Sequence, residues 1–413
     1  MSTTQRRALT LASVPLSIAL LASCAAAPSA PSTPDPSPAP TQGEAPASVE
    51  VAASRIAVTV PGGIAVLDAA SLEPVSELEL DGFLRLHAAG DDRSILVTAP
   101  GGFRVLDTGV EIAAHGDHEH FHAVEPTLGD IAFPAEHPGH VTVHAGTTAL
   151  FDDGTGEIVT FDSDSLLDGA EQRRETSVPD AHHGVAVRLE TGGLVTTEGT
   201  EEARSTVVLR SGAGDELART DACPGVHGEA VAADDAVLLG CEDGVVVLQD
   251  GAFTHIAAPD AYGRIGNVRG HGDSTVVLGD YKGERDAELE RPTRVSLIDT
   301  ATAELRLVEL GTSYSFRSLA RGPHGEALVL GTDGAVHVID PATGAVTQRV
   351  QVVEPWEEPL DWQQPRPTLV ASDHTLYVTD PATQRVLALD AHSLAVTAET
   401  TLDGAPNELT AAR

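Results

Sequence analysis

One apolar hexad recurs along almost the whole chain, and it constrains the fold more than any other feature. It reads GIAVLD at 63–68, GFRVLD at 102–107 and EIVTFD at 157–162, then a weaker STVVLR at 205–210. It continues as GVVVLQ at 244–249, RVSLID at 294–299, AVHVID at 335–340 and RVLALD at 385–390. From Asp68 to Asp390 the eight copies span 322 residues, a mean spacing of 46. Each copy follows a Gly, Pro or Asp turn signal, and a second β-branched run lies just upstream, so every unit contains a hairpin. No stretch carries a helical period of useful length. Four-stranded units repeating every ~40–50 residues are the blades of a propeller. The expectation is an all-β chain, a β-propeller of seven or eight four-stranded blades, eight by count of the repeat. The chain enters mid-blade near Arg55, and NELTA at 407–411 can supply the missing inner strand and close the ring. An open array would leave a strand edge exposed at each end.

Ahead of the repeats, residues 1–23 read as an export signal: Arg6 and Arg7, then an apolar stretch over 8–22 too short to span a bilayer comfortably. It ends in LASC at 21–24, which resembles the lipobox of bacterial lipoproteins, where the signal is cut before the cysteine and the cysteine is lipidated. Cys24 is therefore the expected lipidation site. Residues 24–50 are Ala, Pro, Ser and Thr with almost no bulky apolar side chains, a tether that cannot fold. Residues 51–413 form the propeller domain. The expected location is outside the cytoplasm, anchored by lipid to the outer face of the cytoplasmic membrane or the cell surface.

The formal charge is −37, and Lys282 is the only lysine among 25 basic residues. Such a surface repels nucleic acid and favours cations, although general acidity by itself implies no ligand. Past Cys24 only Cys223 and Cys241 remain, and in an oxidising setting they are expected to pair. A thiolate metal site is the alternative.

Histidine is the more informative residue. HGDHEHFH at 115–122 packs four of the chain's seventeen histidines and two carboxylates into eight positions. If extended, the segment turns His118, His120 and His122 to one side, with Asp117 beside them; neutral imidazole is a common metal ligand. A solvated polar loop is the competing reading. The segment falls in a long interval of the repeat, which marks it as an insertion on one blade. A second set emerges on aligning three inner strands: His140, His183 and His227 precede a leucine of the next strand (Leu150, Leu194, Leu238) by 10, 11 and 11 residues. Matching positions on consecutive blades sit side by side at a propeller's central channel. Three imidazoles there, with Asp180, Glu229 or Glu136 as a fourth ligand or an orienter, suit zinc's preference for four ligands. Histidines that merely pack or bond backbone would show the same pattern. His87, His271, His324, His337, His374, His255 and His392 read as ordinary surface residues.

The combination resembles the AztD-type zinc metallochaperones. The motifs that carry it are HGDHEH at 115–120, PGHV at 138–141, ALFDDGTG at 149–156, PGVHGEA at 224–230 and GCEDG at 240–244. The resemblance implies a non-catalytic, monomeric propeller that binds Zn2+ outside the cell and passes it to the solute-binding protein of a zinc ABC importer. It carries His118, His120, His140, His183 and His227 over as ligands, with His122 beside them. The lipobox departs from the soluble members of that family. Two other classes stand against this reading. One is a propeller interaction module whose histidines are incidental. The other is a metal-dependent enzyme, against which stand the lack of a nucleophile elbow, of HExxH and of a phosphate loop.

Overall fold

The computed structural model describes residues 54–115 and 118–413, and within 111–115 and 118–121 the backbone alone. The export signal, Cys24, the tether and Asp117 lie outside the described residues. Eight four-stranded antiparallel sheets form a ring. Each of the eight repeat copies falls on the third strand of a blade, counted outward from the channel.

Blade 1 is closed by both ends of the described chain. Arg55–Val60 pairs with Gly63–Asp68 on one side and with Leu409–Ala411 on the other, with Ile56 opposite Ala411 and Val58 opposite Leu409. No strand of the ring is left as an unpaired inner edge, which is the closure expected from the sequence.

The second and third strands are sandwiched between neighbouring blades, so both of their faces are buried. They therefore read as continuous apolar runs such as Ala236–Cys241, buried at all six positions. The outer strands face solvent on one side and alternate, as in Pro74–Glu79, Val346–Gln351 and Val396–Thr401. Between blades 4 and 5 the packing joins Val187, Val195 and Val207 to Val237, Leu239 and Val246. Cys223 and Cys241 form a disulfide within that core, with Cα atoms 4.9 Å apart.

Blade 2 runs through Arg85–Ala88, Ser94–Ala99, Gly102–Asp107 and Thr127–Pro134. Between its third and fourth strands a hairpin is inserted, Val110–His115 paired with His118–Ala123. The histidine-rich segment is thus a strand pair, not an irregular loop. Its stem is fixed: the Arg55 guanidinium donates to the carbonyls of Thr108 and Val124, and the Val124 N–H donates to Gly109 at 2.8 Å.

Candidate metal centre

Three consecutive blades bring His140, His183 and His227 together. His140 lies in the inner strand Pro138–His144 of blade 3, and His227 opens the inner strand His227–Ala232 of blade 5. His183 stands just before the inner strand Ala186–Arg188 of blade 4. Their candidate ligand atoms all lie within 4.8 Å of one another, the only such group among the described residues. The ring centroids are 4.9, 4.9 and 5.6 Å apart.

The backbone bends to achieve this. Register shifts interrupt the pairing between Pro138 and Val141 and between His227 and Glu229, bulges that re-aim the adjacent side chain. The second bulge depends on Gly228 at φ +70°, where a Cβ would also lie 2.2 Å from the Gly266 carbonyl oxygen. Gly139 matters differently: a Cβ there would strike the Asp153 carboxylate at 2.1 Å.

That carboxylate is one of three acceptors that set the histidine tautomers. His183 Nδ1 donates to Asp153 Oδ2 at 2.5 Å, His140 Nδ1 lies 2.8 Å from Glu229 Oε2, and His227 Nδ1 donates to the Gly266 carbonyl at 2.7 Å. An ionised carboxylate and a carbonyl can only accept, so the proton of each neutral ring sits on Nδ1. All three Nε2 lone pairs are then free. With both rings in that neutral tautomer, the Nε2 atoms of His140 and His183 face each other at 3.2 Å. That is close to the ~3.3 Å separation of two nitrogens on a tetrahedral zinc with 2.0–2.1 Å bonds. Two facing lone pairs repel unless a cation lies between them, and imidazoles held by carboxylate or carbonyl acceptors are the usual metal-ligand arrangement.

The charge states follow the surroundings. Burial drives the His227 imidazolium well down, and the neighbouring His140 and His183 add to this. Burial also opposes charge on His140, but Glu229, by its charge and its hydrogen bond, outweighs it and leaves that pKa raised.

Of the expected auxiliary carboxylates, the structure puts Glu229 beside the triad, as an orienter of His140. Glu136 and Asp180 are exposed and stand apart from it. The Asp180 carbonyl instead accepts from buried His182, whose other ring nitrogen meets Thr197 Oγ1 at 2.9 Å, a satisfied core histidine. Asp153 and Gly266 were not singled out by sequence; the only signal was that Asp153 sits in the DDG turn of ALFDDGTG. Two histidines read as surface residues are not. His87 lies in the channel wall with Nε2 enclosed and without a hydrogen-bond partner, and His337 is buried against Asp333 at 3.1 Å.

The triad opens onto a central cavity of about 1230 Å³. It sits at the face where the inner strands begin, the face that also carries the second-to-third-strand turns such as that of Asp153. The hairpin of blade 2 follows a third strand, which runs in the same sense as the inner strand, so it leaves from the opposite face. His122 in that hairpin is exposed.

No family model matches the chain. The zinc chaperone AztD of Citrobacter koseri is 25% identical over 352 residues, 84% of this chain and 83% of that protein. The crystal structure of Citrobacter koseri AztD superposes with a TM-score of 0.74 at 25% identity, covering 87% of this chain and 96% of that one. The chain resembles AztD. The AztD likeness extends over the ring as a whole, not merely over the motifs around the triad. A dihydro-heme d1 dehydrogenase, NirN, also superposes, with a TM-score of 0.56 at 14% identity over 90% of this chain and 77% of that one. That likeness is one of fold alone, and it shows that the propeller by itself does not separate AztD-like proteins from enzymes. Among the described residues no helix is long and apolar enough to cross a membrane.

Proposed function

We propose that this protein is an exported zinc metallochaperone without catalytic turnover. It holds one Zn2+ on the Nε2 atoms of His140, His183 and His227 and delivers it to the solute-binding protein of a zinc ABC importer. The observation that carries the reading is the gathering of three imidazoles whose candidate ligand atoms lie within 4.8 Å of one another, each with a carboxylate or carbonyl oxygen beside its Nδ1. The AztD likeness supports zinc over copper or nickel, which imidazole sites also accept. We assign Cys24 as a lipid anchor and 24–50 as its tether, so that delivery takes place at the outer face of the cytoplasmic membrane. His118, His120 and His122, with Asp117, form a second and weaker station on the hairpin.

The test mixes zinc-loaded protein with the apo solute-binding protein in the presence of a chromogenic chelator. Zinc should reach the solute-binding protein without passing through the chelator. Absence of bound zinc at micromolar free metal, or zinc appearing on the chelator first, would refute the reading.

A further inference from the structure

Acidic residues outnumber basic ones 62 to 25 in the chain, yet the wall of the central cavity reverses that balance. It carries Arg85, Arg264, Arg269, Lys282, Arg317 and Arg321 against four acids. Some of these cations are plainly structural. Arg321 spends its donors on carbonyls of residues 269, 276, 325 and 326, and Arg317 pairs with Glu408 at 2.5 Å and with Asn407.

Arg85 and Arg269 are different. Arg269, on the inner strand Val268–His271 of blade 6, forms no ion pair among the described residues; its guanidinium donates only to the Val268 carbonyl, at 2.8 Å. Arg85, which opens the inner strand of blade 2, reaches Glu408 only at 3.7 Å, and its Nε is buried without a hydrogen-bond partner. Some arginines outside the channel are closely paired, as in Arg93–Asp107 at 2.6 Å and Arg349–Asp333 at 2.7 Å. Blades 2 and 6 flank the arc of blades 3 to 5 that bears the triad, so these two guanidiniums bracket it. Burial in the channel and the like charge of Arg85 disfavour the charged form of Arg269, while the charges of Glu229, Asp280 and Glu408 favour it. Both line the cavity beside the triad and neither is used up in a close ion pair, so the wall offers two cations to an anion.

We propose that the space between Arg85, Arg269 and the histidine triad binds a small free carboxylate anion. One carboxylate oxygen completes the coordination of the metal held by the triad, and the other is held by the guanidiniums. The inference rests on the reading of the triad as a metal site. Three neutral imidazoles leave the ion's charge uncompensated and its fourth position open. Glu229 and Asp153 face the Nδ1 side of His140 and His183, where they orient the rings. A carboxylate offers one oxygen to a metal and another to an arginine fork, a match of geometry as well as charge.

The test uses the protein loaded with Co2+, whose visible d–d bands report the ligand set, titrated with acetate at constant ionic strength balanced by perchlorate. The wild type should show a saturable spectral change. Arg269→Gln and, separately, Arg85→Gln should weaken the acetate response by ~10-fold or more with Co2+ stoichiometry unchanged. Arg85 is on the other flank with its side chain 40% exposed, so its variant gives an independent reading should Arg269→Gln misfold. A Co2+ spectrum indifferent to acetate, or an acetate response in both variants equal to that of the wild type, overturns the anion site and leaves the metal site standing. Absence of any Co2+ spectrum at the triad overturns both.

Discussion

The two histidine sets differ in how their geometry is secured. The hairpin's histidines are neighbours in sequence, carried by one strand pair whose stem is fixed to the ring through Arg55 and the Gly109–Val124 backbone bond. The triad's members are some forty residues apart, and each is carried by a different blade whose own core holds it in place. Its rings are fixed on the Nδ1 side before any ion arrives, so binding costs little reordering. The hairpin offers density and access. The triad offers a preset arrangement, and a preset arrangement determines affinity. They also lie on opposite faces of the ring, and the cations of the channel wall disfavour passage of a dication between them. An ion held by the triad therefore enters and leaves by the triad's own mouth.

Breaking the triad should produce the largest effect. His183→Ala removes a ligand from the middle blade, and tight zinc binding should weaken by well over ~100-fold, beyond what loss of an orienting partner causes. Competition against a chelator of known affinity measures it. A tight site unchanged in His183→Ala would mean that the hairpin, not the channel mouth, holds the ion.

Next come the groups that touch no metal. Asp153→Asn and Glu229→Gln keep every ligand but allow the facing Nδ1 to become an acceptor, which releases the ring's tautomer. Each should cost ~10–100-fold in zinc affinity. No residue of the hairpin should act through the triad in this way, and a comparable loss from a hairpin carboxylate would erase the contrast between the two regions.

The eight blades and the ring closure were legible because a buried strand must repeat its apolar pattern, and all eight copies of the hexad proved to be third strands. The triad was legible for a partly different reason from the one offered. The near-equal spacings to Leu150, Leu194 and Leu238 suggested a shared register, but those leucines pair with Val141, Arg188 and Ala230, which lie one, five and three residues beyond the respective histidines. The rings meet because bulges in blades 3 and 5 and the segment ahead of Ala186 compensate for unequal registers. Nothing local in the sequence encodes that compensation. For the same reason Asp153 and the Gly266 carbonyl were missed, since each reaches its histidine from a different blade. His87 was misread because a four-residue inner strand next to a glycine looks like a turn.

His87 supplies a smaller effect, confined to the channel side. Burial, reinforced by the charges of Arg85, His140 and Arg269, lowers its pKa to about 3 from an ordinary value of 6.5. The folded ring holds this imidazole neutral, so the unfolded chain binds more protons between those two values. Stability from this group is complete above pH 6.5 and drains away as pH falls toward 3, by up to about 1.4 kcal/mol per unit. Chemical denaturation of the metal-free protein across that range should show the decline, and His87→Leu should flatten it. An exposed hairpin histidine such as His122, replaced in the same way, should leave the slope as it was.

The smallest effect expected on the tight site comes from removing the other region altogether. The two stem ends of the hairpin already meet at Gly109 and Val124, so a short turn can join them. Replacing 110–123 with such a turn should leave one zinc bound with affinity unchanged within about two-fold, the additivity expected of distant sites. Zinc stoichiometry should fall by whatever the hairpin held, and the rate of transfer to the solute-binding protein should fall if the hairpin takes part in the exchange. Loss of all zinc on this deletion would mean that the two faces work as one site. Since the two lie on opposite faces of the ring with a channel wall of arginines between them, such a result would require the hairpin of one molecule to reach the triad of another. A dependence of zinc affinity on protein concentration would then expose that arrangement.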